Sequence, residues 1–148
     1  MQSRALGNVL RIGRCFLLYR RRALKDTALS PAQSLVISHV CRRPGLAQES
    51  LTGELCLDKT TVAHQLMKLE EQGYIRREVP AEDGRCRRVY PAEKAEAVYP
   101  RIHGVFRAFT EGILEGLSEV ERAQLERLTE RVCTNARRLS EAGREGTP

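Results

Sequence analysis

Two clusters of side chains have types and spacings suited to holding a polyanion. The first runs Asp58-Lys59-Thr60-Thr61-Val62-Ala63-His64-Gln65-Leu66-Met67-Lys68. If Val62, Leu66 and Leu69 turn inward on a helix, Thr60, Thr61, His64, Gln65 and Lys68 share its opposite face, with Lys59 at the first turn. Short hydroxyls near a helix start can approach phosphates and thymine methyls, glutamine suits adenine, and Lys68 suits a phosphate. The second cluster is Arg85, Arg87 and Arg88, with no acid among residues 84–92. An arginine at a hairpin tip can enter a narrow minor groove, where negative potential is concentrated.

The remaining reactive side chains are poorly arranged for catalysis. Five cysteines (Cys15, Cys41, Cys56, Cys86 and Cys133) are an odd number without a CxxC pair, so free thiols rather than a disulfide framework are expected, with Cys86 the most exposed. His39-x-Cys41 is the nearest approach to a metal pair and lacks a second close pair, so no metal site is expected. A cysteine nucleophile needs a base. His39, His64 and His103 are distant from Cys15 in sequence, and no strand-to-helix nucleophile turn occurs. The expected chain is not an enzyme and needs no cofactor.

The elements that must position these residues are readable from periodicity and caps. Leu6, Val9, Leu10, Gly13, Phe16, Leu17 and Leu24 recur at helical spacing, giving a first helix that ends near Thr27. Ser30-Pro31-Ala32-Gln33 is a capping box with proline at the first helical position, and Arg43-Pro44-Gly45 stops that second helix. A third helix covers Gln48 to Leu55, burying Leu51 and Leu55. A turn at Cys56-Leu57 leads to Asp58 as N-cap of a fourth helix, which runs to about Gln72 with Gly73 as its stop. After Gly73 the period becomes two. Strands are expected over Tyr74–Val79 and Cys86–Tyr90, around the turn formers Pro80-Ala81-Glu82-Asp83-Gly84. A hairpin directly after a helix-turn-helix is a wing. Val98, Ile102, Val105, Phe106, Phe109 and Ile113 trace a fifth helix bent by Pro100. Ser118 to Glu121 is a capping box that opens the last, with Leu125, Leu128, Val132 and Leu139 on one stripe and Asn135 in the seam.

The fold class is therefore mainly α with a small β-hairpin wing. A single domain is expected over 1–148, with residues 29–92 as the winged helix-turn-helix lobe. Residues 1–28 and 93–142 form a helical dimerisation region, and 143–148 a disordered tail. The stripes on the first and last helices have no partner left in so small a monomer, so a homodimer is expected, reading a pseudo-palindromic site on double-stranded DNA. The net charge of +6 agrees, and it is local: Arg4, Arg11, Arg14, Arg20, Arg21, Arg22 and Lys25 stand in the first 25 residues without an acid. No apolar run reaches the roughly 18 residues of a membrane span. The longest near the N-terminus, Cys15 to Tyr19, is too short for a signal-peptide core, so a cytoplasmic location is expected.

The stretch from Cys56 to Leu66, followed by Leu69 to Ile75, resembles the recognition helix of the MarR family of winged helix-turn-helix transcriptional regulators. Asp83 to Lys94 resembles that family's wing and the start of its fifth helix, and Leu29 to Gln33 the opening of its second. Ala47, Cys56 and His64 depart from the family's usual Ser or Thr, Gly, and Arg at those positions; the last alters which base can be read. The resemblance implies that Asp83 orients Arg85. It also implies a regulator, usually a repressor, released by a small anionic or aromatic effector held between the dimer helices and the DNA-binding lobe. Arg14, Phe16, Tyr19 and Arg20 are the candidates for that effector, although residue by residue these arginines are expected to face solvent. Cys15 to Tyr19 also resembles the reactive-cysteine segment of the family's peroxide-sensing branch, making Cys15 a redox candidate, yet the tyrosine that branch carries in the next helix is missing. An α-helical module using its winged helix for protein contacts is the alternative of a different class, and a salt-dependent DNA shift separates the two.

Overall fold

A computed structural model of the chain describes residues 4–82 and 84–142; Asp83 and the tail from Gly143 lie outside them. The elements in chain order are α1 (Arg4–Ala23), α2 (Pro31–Arg42), β1 (Leu46–Ala47), α3 (Gln48–Leu55), α4 (Lys59–Glu71), β2 (Ile75–Glu78), β3 (Arg88–Pro91), α5 (Glu93–Ile113) and α6 (Glu119–Ala142). They fall into two compact units, divided between Phe109 and Thr110.

The first unit is organised around α2. Its N-terminus is closed by the reciprocal pair Ser30 N–H to Gln33 Oε1 (2.9 Å) and Gln33 N–H to Ser30 Oγ (3.1 Å), with Pro31 at the first helical position. Val36, Ile37 and Val40 are fully buried against Leu51, Val62, Leu66, Leu69, Val89 and Ile102, so one core holds α3, α4, the sheet and α5 together. α3 lacks a side-chain cap at Ala47, and it ends on Cys56 in the left-handed region (φ 51°), where glycine is favoured.

The sheet differs from a two-stranded hairpin. Its order is β1-β3-β2, all antiparallel, with Leu46 opposite Val89 and Arg77 also opposite Val89 from the other side. Two residues at β1 offer too short a run for periodicity to detect. They pair because Gly45 turns the chain at φ +81°, and a Cβ there would meet the Tyr90 ring at 3.0 Å. The hairpin strands are shorter and shifted relative to the expected Tyr74–Val79 and Cys86–Tyr90: Arg85 to Arg87 lie in the connection, outside the ladder.

α5 carries Pro100 within its length and buries Ala95 and Ile102. In the second unit, α6 opens on the expected capping box, Ser118 N–H to Glu121 Oε2 (2.8 Å) and Glu121 N–H to Ser118 Oγ (3.3 Å). None of its residues is buried, and Val120, Leu125, Leu128, Val132 and Leu139 all stand exposed. Among the described residues, no helix is long and apolar enough to cross a membrane.

Candidate nucleic-acid interface

α4 is fixed at both ends by polar contacts and along one side by the core. Val62, Leu66 and Leu69 are at most 1% exposed, which fixes the face that turns outward. At the N-terminus, Asp58 Oδ1 accepts from Thr61 N–H (2.8 Å) and Oδ2 from the Thr61 hydroxyl (2.6 Å). The hydroxyl first, then the backbone N–H, holds the Asp58 carboxyl below its ordinary range. At the C-terminus, Gln72 Oε1 accepts from Gln33 of α2 (3.3 Å), and Gln72 O accepts from Lys94 Nζ of α5 (2.9 Å).

Lys59, Thr60, His64 and Lys68 are exposed as the sequence pattern expects, whereas Thr61 and Gln65 are half-buried at the edge of that face. Thr61 is engaged as a cap. Two residues of the outward face went unnoticed in the sequence: Ala63 and Met67, the latter 44% exposed. The signal was present in the same helical period, since positions 60, 63, 64 and 67 form one patch opposite positions 62, 66 and 69. The patch is thus part apolar, suited to thymine methyls as well as to polar base edges.

In the wing, Arg85 and Arg87 are exposed in the connection between β2 and β3. Arg88, also exposed, spends one donor inside the protein, Nη1 to Gly45 O at 3.1 Å. The backbone of the connection is anchored as well, Gln48 N–H donating to Arg87 O at 2.9 Å. Cys86 is half-buried, 3.9 Å from Glu49 Oε2, and is not the most exposed thiol; Cys15 on α1, Cys133 on α6 and Cys56 in the turn after α3 are exposed. Asp83, expected to orient Arg85, lies outside the described residues. Arg76 stacks 4.5 Å over the Tyr90 ring and pairs with Glu78, so it braces the outer face of the sheet.

The residues expected to meet an effector divide between two faces of α1. Phe16 and Arg20 lie inward, while Arg14 and Tyr19 are exposed, as is the redox candidate Cys15. Arg20 is only 4% exposed, which corrects the expectation of a solvent-facing arginine: its guanidinium sits 4.7 Å from the Phe16 ring centroid and 5.4 Å from that of Phe106. The rings supply a cation-π cradle that offsets part of the desolvation, while burial still lowers the Arg20 pKa. Among the described residues, its Nε has no hydrogen-bond partner. Phe109 extends the cluster, 4.7 Å from Phe16 and 5.3 Å from Tyr19. All five cysteines are free thiols, and burial pushes the Cys41 thiol up to about 11, helped by Glu96. Among the described residues, no group of His, Cys, Asp and Glu is arranged to hold a metal ion.

Comparison with known proteins gives the same architecture a family. The model of the family described as MarR matches residues 29–87, from just before α2 to the connection that precedes β3. The chain is 31% identical over 122 residues to YybA, an uncharacterized HTH-type transcriptional regulator of Bacillus subtilis (strain 168), covering 82% of this chain and 81% of that one. It is 32% identical to the transcriptional regulator SlyA, whose crystal structure superposes with a TM-score of 0.88 over 94% of this chain and 98% of that one. A putative MarR-family regulator from Listeria monocytogenes, crystallised with a 26mer DNA, shares the fold at a TM-score of 0.93 and 23% identity, covering 100% of this chain and 98% of that one. The helix-turn-helix, the wing that follows it and these likenesses agree: the chain belongs to the MarR family of transcriptional regulators, and is a winged-helix DNA-binding regulator, not an enzyme.

Proposed function

We propose that this regulator acts as a homodimer on a pseudo-palindromic operator, laying α4 in the major groove and the wing in the flanking minor groove. The observation that carries the reading is the outward face of α4, where Lys59, Thr60, His64 and Lys68 are exposed while the opposite face is locked into the core. Thr60, Ala63, His64, Gln65 and Met67 face base edges, Lys59 and Lys68 face phosphates, and Thr61 sets the helix start. Arg85 and Arg87 reach the minor groove, and Arg88 contributes chiefly to the wing's own structure. The dimer is supported by the uncovered apolar stripe of α6 and by exposed Leu6, Val9, Leu10 and Leu17 on α1.

Release by a small aromatic carboxylate is the mode of control that fits the cluster best, because Arg20, whose Nε has no partner among the described residues, stands against the Phe16 and Phe106 rings, with Phe109 packed on Phe16. Exposed Cys15 supports a second reading, release by oxidation. Selection of bound sites from random DNA tests the whole, repeated with benzoate and with an organic hydroperoxide. Recovery of an inverted repeat with half-sites about one helical turn apart is the expected result. Binding with no dependence on salt, or no selected sequence at all, overturns it in favour of a protein-interaction module. Loss of peroxide release in Cys15→Ser would move the signal to the thiol.

A further inference from the structure

Glu70 stands in the last turn of α4, and Arg77 is the third residue of β2, the strand that leads into the wing. Glu70 Oε1 accepts from the Arg77 backbone N–H at 3.1 Å, while Oε2 accepts from Arg77 Nε at 2.9 Å and Nη2 at 2.6 Å. One carboxylate thus grips the main chain and the side chain of the same residue, which blocks both sliding and rolling of β2 against α4. Arg77 is 17% exposed in its side chain, on the sheet face it shares with buried Ile75, so its guanidinium is committed to the protein. Charge-assisted bonds of this forked kind carry geometric specificity as well as energy. The Arg77 side chain first, outweighing the cost of burial, holds the Glu70 carboxyl below its ordinary range. The other side-chain ties at this end of α4 run elsewhere, from Gln72 to Gln33 and Lys94.

We infer that Glu70 and Arg77 are a positioning pair that sets the register between the base pairs read by α4 and the flanking minor-groove step reached by the wing. The inference rests on the DNA-binding geometry proposed above. Ala81, on the arm of the wing that follows β2, is four residues past Arg77, a lever of at most about 13 Å at roughly 3.3 Å per extended residue. A rotation of about 15° at the clamp would carry Ala81 roughly 3.4 Å, which is one base-pair step along a strand. A change of that size at the clamp would therefore decide which step the wing arginines meet, and the three bonds from Arg77 to Glu70 oppose it.

The test is a competition on the full chain, using operators in which the outer A/T tract is moved by zero, one or two base pairs relative to the core half-site. Wild type, Arg77→Lys and Glu70→Gln are compared, each after a thermal melt. Wild type should prefer one register by about tenfold; both variants should bind all registers within about twofold while keeping wild-type preferences at the core bases. Hydroxyl-radical protection at the flanks should blur in the variants and stay sharp in wild type. A purely structural clamp would lower affinity for every register equally, and retention of the wild-type register preference overturns the inference. Wild type with core preference but no register preference also overturns it, leaving the DNA-binding reading intact, whereas absence of core preference in wild type sinks both. Should Arg77→Lys fail to fold, Glu70→Gln decides, since its side-chain oxygen still accepts one of the bonds.

Discussion

Thr61 gives Asp58 both of its hydrogens, the backbone N–H at 2.8 Å and the hydroxyl at 2.6 Å. A hydroxyl has a single hydrogen, so Thr61 held this way donates nothing to a phosphate or a base carbonyl. Thr60, one residue earlier and exposed, is under no such constraint. In competition binding against selected operators, Thr61→Val should keep wild-type base preferences, whereas Thr60→Val should lose discrimination at one core position. The reverse order would assign base reading to Thr61.

The same contact has a pH dependence of known sign. The Asp58 carboxyl titrates below its unfolded value because of its bonds from Thr61. Its contribution is therefore complete above the unfolded carboxylate pKa and is lost as pH falls through the lower, folded value. Asp58→Asn, which still caps through its side-chain oxygen, should show a shallower fall in melting temperature on acidification than wild type. Equal slopes would mean that the carboxylate charge is irrelevant to the cap.

Arg85 and Arg88 should separate in mutagenesis. Arg85→Ala should weaken operator binding by about 1–3 kcal/mol with no change in melting temperature. Arg88→Ala, which removes the bond to Gly45 O, should lower the melting temperature too. Preference for A/T at the outer flanks should fade in Arg85→Ala, as expected for a side chain that reads groove width. Identical binding by Arg85→Ala and wild type at physiological salt would exclude a minor-groove role.

Gly45→Ala should be costly at a position that looks like an ordinary loop. The left-handed backbone alone costs an L-residue about 1–2 kcal/mol. The new methyl would also press on Tyr90, whose ring lies 3.0 Å from that position. Tyr90→Leu in the same background should recover part of the loss, and a denaturant melt of the single and double variants measures it.

Much of the site was legible because it depends on local periods. The interval between Val62, Leu66 and Leu69 dictates which α4 residues turn outward, and Ser30, Asp58 and Ser118 act as caps where their types suggest. β1 was illegible, since two residues carry no alternation and their pairing depends on a distant strand. Arg20 was misread for a related reason. An arginine among Arg20, Arg21 and Arg22 looks solvent-facing by charge, and only the arrival of Phe106 from α5 makes its position an aromatic cradle. The Glu70–Arg77 fork was hidden similarly, because nothing in either residue's neighbourhood announces that an acid on a helix will meet a strand arginine seven positions later.

The thiols offer a check on burial that needs no DNA. Cys41 is pushed up to about 11, so near neutral pH it is almost wholly protonated as well as half-buried. A thiol-specific reagent followed by mass mapping should label it last among the five cysteines of the native protein. Labelling of Cys41 as fast as exposed Cys56 would mean that the α2 face against Glu96 opens in solution.

α6 has 24 residues and buries none of them. In a protein, a helix draws most of its stability from packing of its apolar face rather than from propensity. Whatever covers its apolar stripe therefore supplies the free energy that keeps it wound. If the cover is a second copy, mass action links the two: dilution removes the cover and the last helix loses order along with it. The folded length of this chain would then be a function of how much of it the cell makes, and a regulator present at low copy would reach its DNA-competent form only above a threshold of its own abundance.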